Sequence, residues 1–294
     1  MNLPDPAVQL SGAVEVAPDV LVIPNEHVGL VPNIGIIGGT DAVLVVDTGL
    51  GLANASDVRK FAEEVARGRR VHLTTTHFHP EHAFGASVFE DSYLVNRAQA
   101  DDLRRKGTGY LEMFRGFGGA VAERLAGVEV PAPDLVFDDV HALDLGGRTV
   151  LLRPTGRGHT LGDQVVEVPD AGVLFTGDLA ETGQFAIFPW LPPHDTDVSG
   201  LAWIGVMDGL IAAQPRIVVP GHGSVGDIAV LQGVRDYLGE LRDETWRRRD
   251  SAMELDEIVA EVRAVLVERH PEWTGQEWIA PGVSCLCAEA SQAG

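Results

Sequence analysis

Basic residues, cysteine and long apolar runs are all scarce in this chain of 294 residues. Its 22 Lys+Arg stand against 43 Asp+Glu, a formal net charge of −21. Nucleic acids and anionic membranes are bound through a concentrated basic face, with counterion release supplying much of the affinity. Neither nucleic acid nor membrane is therefore expected as a partner. Only two cysteines occur, Cys285 and Cys287, one residue apart. They are too close for an ordinary bridge and too few for a zinc knuckle, and they suit a reduced, cytoplasmic chain. Lys60 and Lys106 are the only lysines, an arginine bias that points to a GC-rich bacterial genome. Residues 1–18 carry neither a basic nor an apolar signal segment, and no apolar run nears the ~18 residues of a membrane span. Neither feature is expected.

What is present is the balance of a globular protein, with 45% hydrophobic and 22% charged residues. At this length one compact fold buries roughly 75% of the surface of its unfolded chain, so no disulfide or structural metal is needed to hold it together. Short β-branched runs predict strands at 19–23, 34–38, 42–47, 71–75 and 92–95, and again at 148–153, 164–168, 172–176 and 216–220. Helical periodicity begins near Ser56, with Val58, Phe61 and Val65 on one face, and again after Asn96, whose pairing with Gln99 predicts a cap and which Gly107 is expected to end. Further helices are expected at 198–213, 226–248 and 254–269, while 281–287 fits either state. Between 107 and 134, Tyr110, Met113, Phe114 and Phe117 alternate with glycine; core helix is favoured over a mobile flap. Two β-rich halves, each followed by helix, predict two sheets packed face to face with helices outside.

The densest chemistry lies in Thr76-His77-Phe78-His79-Pro80-Glu81-His82, where three histidines and a carboxylate follow an apolar strand. In extended chain His77 and His79 point to the same side, and a turn begun at Pro80 brings Glu81 and His82 round to them. Imidazole with carboxylate suits zinc, iron or manganese, and the four groups could converge on one or two ions. Other polar residues also stand just past apolar strands: Asp47 in Val-Val-Asp-Thr-Gly, His159 in Gly-His-Thr-Leu-Gly, Asp178 in Phe-Thr-Gly-Asp and His222 in Pro-Gly-His-Gly. Alone, each reads as a turn or capping residue. Together they predict a shared rim.

With these motifs in order from about residue 19 to 224, the chain resembles the metallo-β-lactamase superfamily. That resemblance implies an α/β, four-layer αββα sandwich over 1–224, with 225–294 as a mainly helical C-terminal extension on the same domain. It further implies that His77, His79 and His159 hold one ion, that Glu81, His82 and His222 hold a second, that Asp178 bridges both, and that Asp47 orients a ligand through hydrogen bonds. The family's usual aspartate is replaced here by Glu81. Either the loop adjusts so that Glu81 binds, or the second site is weak and Glu81 is free to act as a general base.

The expected activity is zinc-dependent hydrolysis, with iron or manganese as other metals, of an ester, thioester, lactone or amide bond of a small molecule by metal-bound hydroxide. Glu81, Asp178 and His194 are the candidate catalytic groups, His194 as an oxyanion donor. Phe185, Phe188 and Trp190 follow Asp178 and form either an apolar wall over the metals or ordinary loop packing. Two alternatives stand beside hydrolysis: a one-iron persulfide dioxygenase using His77, His159 and Asp178, and a metal-binding scaffold without catalysis. The C-terminal helices leave room for a homodimer.

Overall fold

The computed structural model describes residues 4–25, 27–90, 92–251 and 253–292. These form two sheets. The first has seven strands in chain order: β1 (Val14–Ala17), β2 (Val20–Ile23), β3 (Ile34–Gly38), β4 (Ala42–Val46), β5 (Arg70–Thr74), β6 (Tyr93–Asn96) and β7 (Leu135–Phe137). Pairing is antiparallel from β1 to β4 and parallel from β4 to β7. The second runs β12 (Ile217–His222), β11 (Val173–Glu181), β10 (Gln164–Val168), β9 (Thr149–Pro154), β8 (His141–Asp144), with β11 and β12 parallel. The helices are α1 (Gly51–Ala66), α2 (Pro80–Ala83), α3 (Arg97–Arg115), α4 (Gly119–Arg124), α5 (Gly200–Ala212), α6 (Ile228–Arg249), α7 (Leu255–Arg269) and α8 (Ile279–Gln292).

The layering follows from strand periodicity. Successive side chains of a strand point to opposite faces, so a strand covered on both sides reads as unbroken apolar sequence. On β4, Val43 and Val45 join Ala55, Val58 and Ala62 of α1 in one buried cluster. Its alternate residues Leu44 and Val46 join Val166, Phe175 and Val219 of the second sheet. The outer face of that sheet, with Val165, Leu174 and Val218, joins Trp203 and Met207 of α5 and Leu231 and Leu238 of α6. The result is the four-layer αββα sandwich. Each fully buried aliphatic side chain of these clusters contributes about 1.5–3 kcal/mol.

Several boundaries differ from the sequence expectation. Helix α1 starts at Gly51 rather than near Ser56, and Gly107 does not end the helix capped by Asn96, whose side chain accepts from the Gln99 N–H at 2.9 Å. Helix α3 continues to Arg115 because Leu103, Tyr110, Leu111 and Phe114 extend its buried face. Gly107 sits where a Cβ would press on the Val130 side chain. Tyr110 and Phe114 are thus core, while Phe117 is exposed. Strands β1, β7 and β8 were not anticipated, and residues 281–287 lie within α8, which carries the free cysteines Cys285 and Cys287. Helices α6 to α8 share the apolar cluster of the second sheet. Among the described residues, no helix is long and apolar enough to cross a membrane.

Both sheets send strand ends to one edge, where cross-sheet hydrogen bonds fix their spacing. The Gln164 N–H donates to the Thr76 carbonyl at 2.9 Å. Asn33, buried, donates from Nδ2 to the Pro220 and Gly223 carbonyls, both at 2.9 Å, and accepts from the Asn25 N–H at 2.9 Å. Removing that amide strands three buried partners, so Asn33→Ala is expected to lower stability by about 2–4 kcal/mol. Urea denaturation followed by tryptophan fluorescence measures the change; a loss within error of zero would contradict the tie.

Candidate metal centre

Local sequence explains how the histidine-rich segment turns. Residues 75–79 leave β5 through a bend at 76–78 rather than in the extended form expected from the sequence, and Pro80, with its fixed φ and no N–H, suits the first position of α2. His79 caps that turn, its carbonyl accepting from the His82 N–H at 3.0 Å and the Ala83 N–H at 2.9 Å. Glu81 and His82 therefore swing back over His77 and His79. His159 arrives on the turn after β9, Asp178 midway along β11 and His222 at the end of β12.

These seven side chains fall into two groups. One ligand atom each from His77, His79, His159 and Asp178 lies within 4.8 Å of the others, and the same holds for Glu81, His82, Asp178 and His222. Asp178 faces both ways: Oδ2 is 3.7 Å from His77 Nε2 and 3.8 Å from His159 Nε2, while Oδ1 is 3.2 Å from His82 Nε2 and 3.6 Å from His222 Nε2. His79 Nδ1 and His159 Nε2 stand 3.1 Å apart. Tetrahedral coordination with bonds near 2.1 Å separates donor atoms by roughly 3.4 Å, so these spacings match donors disposed about common centres.

The donors fit a divalent cation on chemical grounds as well. All seven residues are buried, yet Nε2 of His77, His82 and His222, Oε2 of Glu81 and Oδ1 of Asp178 have no hydrogen-bonding partner. Unpaired buried polar atoms are costly, and a cation satisfies them together. Burial holds the imidazoles of His77 and His79 well below their ordinary pKa, lowers that of His222, and takes that of His159 down to about 4, so all four are neutral donors. Burial works the same way on His82 but is outweighed by Asp178 and Asp47, which hold it well above the ordinary value. The carboxylates that attract a proton there also attract a metal. Burial pushes the Glu81 carboxyl up to about 7, against the pull of His82. Asp178 is held well below the carboxylate range, because the imidazoles of His82, His222 and His77 overcome its burial.

Ring orientation is set from behind. Asp47, in left-handed backbone at φ 67, accepts the Thr76 N–H at 2.7 Å on Oδ1 and holds His82 Nδ1 at 2.9 Å on Oδ2, leaving Nε2 directed inward. His159 Nδ1 lies 2.9 Å from the Ile187 carbonyl, which selects the tautomer with Nε2 free.

Other expected residues fall elsewhere. His194 is exposed on the loop after β11, and its ring belongs to neither group. Phe185 and Phe188 are fully buried away from the groups: Phe185 packs on Tyr237 and Trp273, with ring centroids 5.6 and 5.4 Å away, and Phe188 on Trp203 at 5.3 Å. They are core, not a wall. Trp190 instead lines a groove of about 640 Å³ with α8. Three half-buried apolar residues from separate segments, Leu30, Met113 and Leu191, pack on the cluster containing Phe78, Tyr110 and Phe114. Sequence reasoning missed Glu181, a buried carboxyl near Asp178, and Tyr110 as a neighbour of His79, whose ring it stacks on at 5.0 Å and 24°. A glutamate three positions beyond Asp178 in an apolar strand was the available signal for the first; nothing local marked the second.

A family model of the metallo-beta-lactamase superfamily matches residues 27–257, and the chain belongs to that superfamily. It is similar to acyl-coenzyme A thioesterase MBLAC2 of Homo sapiens, 29% identical over 213 residues that make up 65% of this chain and 72% of that one. It is also similar to metallo-beta-lactamase type 2 of Bacteroides fragilis, 28% identical over 118 residues, 40% of this chain and 46% of that one. A metallo-beta-lactamase from Pontibacter korlensis shares the fold, with a TM-score of 0.60 at 17% identity over 77% of this chain and 98% of that one.

One glycine is essential to the arrangement. A Cβ on Gly221 would collide with Asp178 Oδ1 and with the backbone joining Gly177 to Asp178, so Gly221→Ala must displace Asp178 and the carboxylate that both groups share. Gly221→Ala is expected to retain the fold, by circular dichroism, and to lose bound metal, by elemental analysis; wild-type metal content would contradict the shared role of Asp178.

Proposed function

We propose that the protein is a metal-dependent hydrolase of acyl compounds and that the bond it cleaves is a thioester or a closely related ester. The observation that carries this is the pair of donor groups meeting on opposite oxygens of Asp178. The acyl-coenzyme A thioesterase relative supports an acyl substrate.

His77, His79 and His159 would hold one ion, Glu81, His82 and His222 the other, with Asp178 between them; zinc suits this nitrogen-and-carboxylate set, and iron or manganese are the other candidates. A divalent ion supplies Lewis acidity, bringing the pKa of a water molecule from about 15.7 toward 7 and polarising an acyl carbonyl. The protein's own part is positional. Asp178 presents one oxygen to each group, Asp47 aims His82, and burial keeps the imidazoles of His77, His79, His159 and His222 neutral. Glu81 would join the second group from α2, where one of its carboxylate oxygens lies within 4.8 Å of the other donors. Glu81, His82 and His222 as a second complete group favour two ions over the one-iron oxygenase.

Metal quantification on the purified protein, followed by a panel of thioester, ester, lactone and β-lactam substrates with and without chelator, tests the proposal. Thioester turnover should vanish with chelator and return with zinc. Replacing His77 or Asp178 by alanine should lower kcat/KM by roughly three orders of magnitude or more, as the water reverts toward a pKa of about 15.7, and should lower bound metal. Full activity in a metal-free variant would refute the proposal. Glu81→Asp draws the carboxylate back by about one bond length, large against the roughly ±0.2 Å tolerance of a metal–ligand distance. It should weaken the second ion alone, seen as one ion fewer per chain at limiting zinc; unchanged stoichiometry would place Glu81 outside the ligand set.

A further inference from the structure

Two side chains outside the donor set reach it through one segment, residues 182–198. Glu181, at the end of β11, is only 4% exposed and accepts the Ile187 N–H on Oε2 at 3.1 Å. The carbonyl of the same Ile187 faces His159 Nδ1 at 2.9 Å. Residue 187 is thus gripped at both of its polar backbone atoms, by a carboxyl on one side and a donor imidazole on the other. Farther along, Asp195, also 4% exposed, accepts the Tyr110 hydroxyl on Oδ2 and the Lys106 ammonium on Oδ1, both at 2.8 Å. The Tyr110 ring lies against His79.

We infer that Glu181 and Tyr110 are positioning residues for the first ion, Glu181 acting through Ile187 and Tyr110 through its own ring as anchored by Asp195, with Ile187 and Asp195 both on the 182–198 segment. Glu181 fixes the backbone that aims His159, and Tyr110, anchored on Asp195, fixes the ring plane of His79. This rests on the assignment of His77, His79, His159 and Asp178 as ligands. A structural role alone explains Glu181 poorly. A carboxyl buried close to Asp178 costs more than an apolar residue of similar volume would, and its Oε1 has no partner. Its carboxyl meets the Gln184 side chain and the Ile187 N–H, and the second of these leads, through Ile187, to His159. Groups that orient metal ligands in this way change metal affinity about 10–100-fold when removed.

The test uses the full-length protein, stripped with chelator and titrated with zinc against a chromophoric chelator, with thermal melting of each variant in parallel. Glu181→Leu removes the acceptor and should weaken the first ion by about 10–100-fold, with the second ion unmoved. Glu181→Gln keeps an oxygen for the Ile187 N–H and should restore most of that affinity. Tyr110→Phe keeps the ring over His79 but releases Asp195, and should weaken the same ion by about 10-fold. This mild change carries the test if Glu181→Leu does not fold. Because both ties act through one segment on one ion, the double variant should fall short of the sum of the two losses. If Glu181→Leu and Tyr110→Phe bind both ions as the wild type does, or if Glu181→Gln is as weak as Glu181→Leu, the inference is overturned while the ligand assignment stands. Wild-type protein that takes up no zinc removes both.

Discussion

Everything at the functional edge depends on one constraint: unsaturated nitrogen and oxygen donors have been carried out of water to the same place. Burial strips each imidazole and carboxyl of its hydration, and the protein returns only part of what was lost. Asp47 satisfies the far side of His82 and the Ile187 carbonyl that of His159, but the inner atoms of His77, His82, His222, Glu81 and Asp178 are left without partners. Repulsion among neutral imidazoles is tolerable; a cluster of unsatisfied acceptors around a carboxylate becomes favourable only when something positive stands between them. Asp178, with one oxygen toward each group, makes the two groups a single electrostatic unit.

The sandwich exists to deliver that edge. Most donors follow a strand whose side chains have already been committed to the core; Asp178, expected just past a strand, instead sits midway along β11, which continues to Glu181. Continuous apolar runs such as 43–46 and 217–219 anchor the strands, and the residues just past them inherit a fixed direction. Glycine and proline manage the exits. Pro80 turns the chain so that Glu81 and His82 double back, and Gly221 permits β12 to pass against Asp178. Asn33, through its side-chain amide, and Gln164, through its backbone N–H, then bind one sheet to the other at this end, so hydrogen bonds outside the donor set bring the two sheets' donors to their spacing.

Much of this was legible in the sequence because it is written locally. The histidine-rich run, the strand-end polar residues and the period-two strands each occupy a few consecutive positions, and the structure brings His77, His79, Glu81, His82, His159, Asp178 and His222 together as expected. What escaped is non-local. Short edge strands such as β1 and β8 carry too little apolar sequence to announce themselves, since pairing rather than propensity forms them. Gly107 reads as a helix end until Val130, far along the chain, is seen to require its missing side chain. Phe185 and Phe188 follow a ligand in sequence yet pack into the core, Phe185 on Tyr237 of α6 and on Trp273, and Phe188 on Trp203 of α5. Tyr110 and Glu181 have no motif at all; only the fold puts one beside His79 and the other beneath His159.

The central claim is that these buried donors together hold a cation, and anomalous diffraction from crystals of zinc-loaded protein tests it most directly. The account predicts two peaks at the zinc edge on either side of the Asp178 carboxylate, one among His77, His79 and His159 and one among Glu81, His82 and His222. A map with zinc elsewhere on the surface and these rings hydrogen-bonded to one another or to water would contradict it.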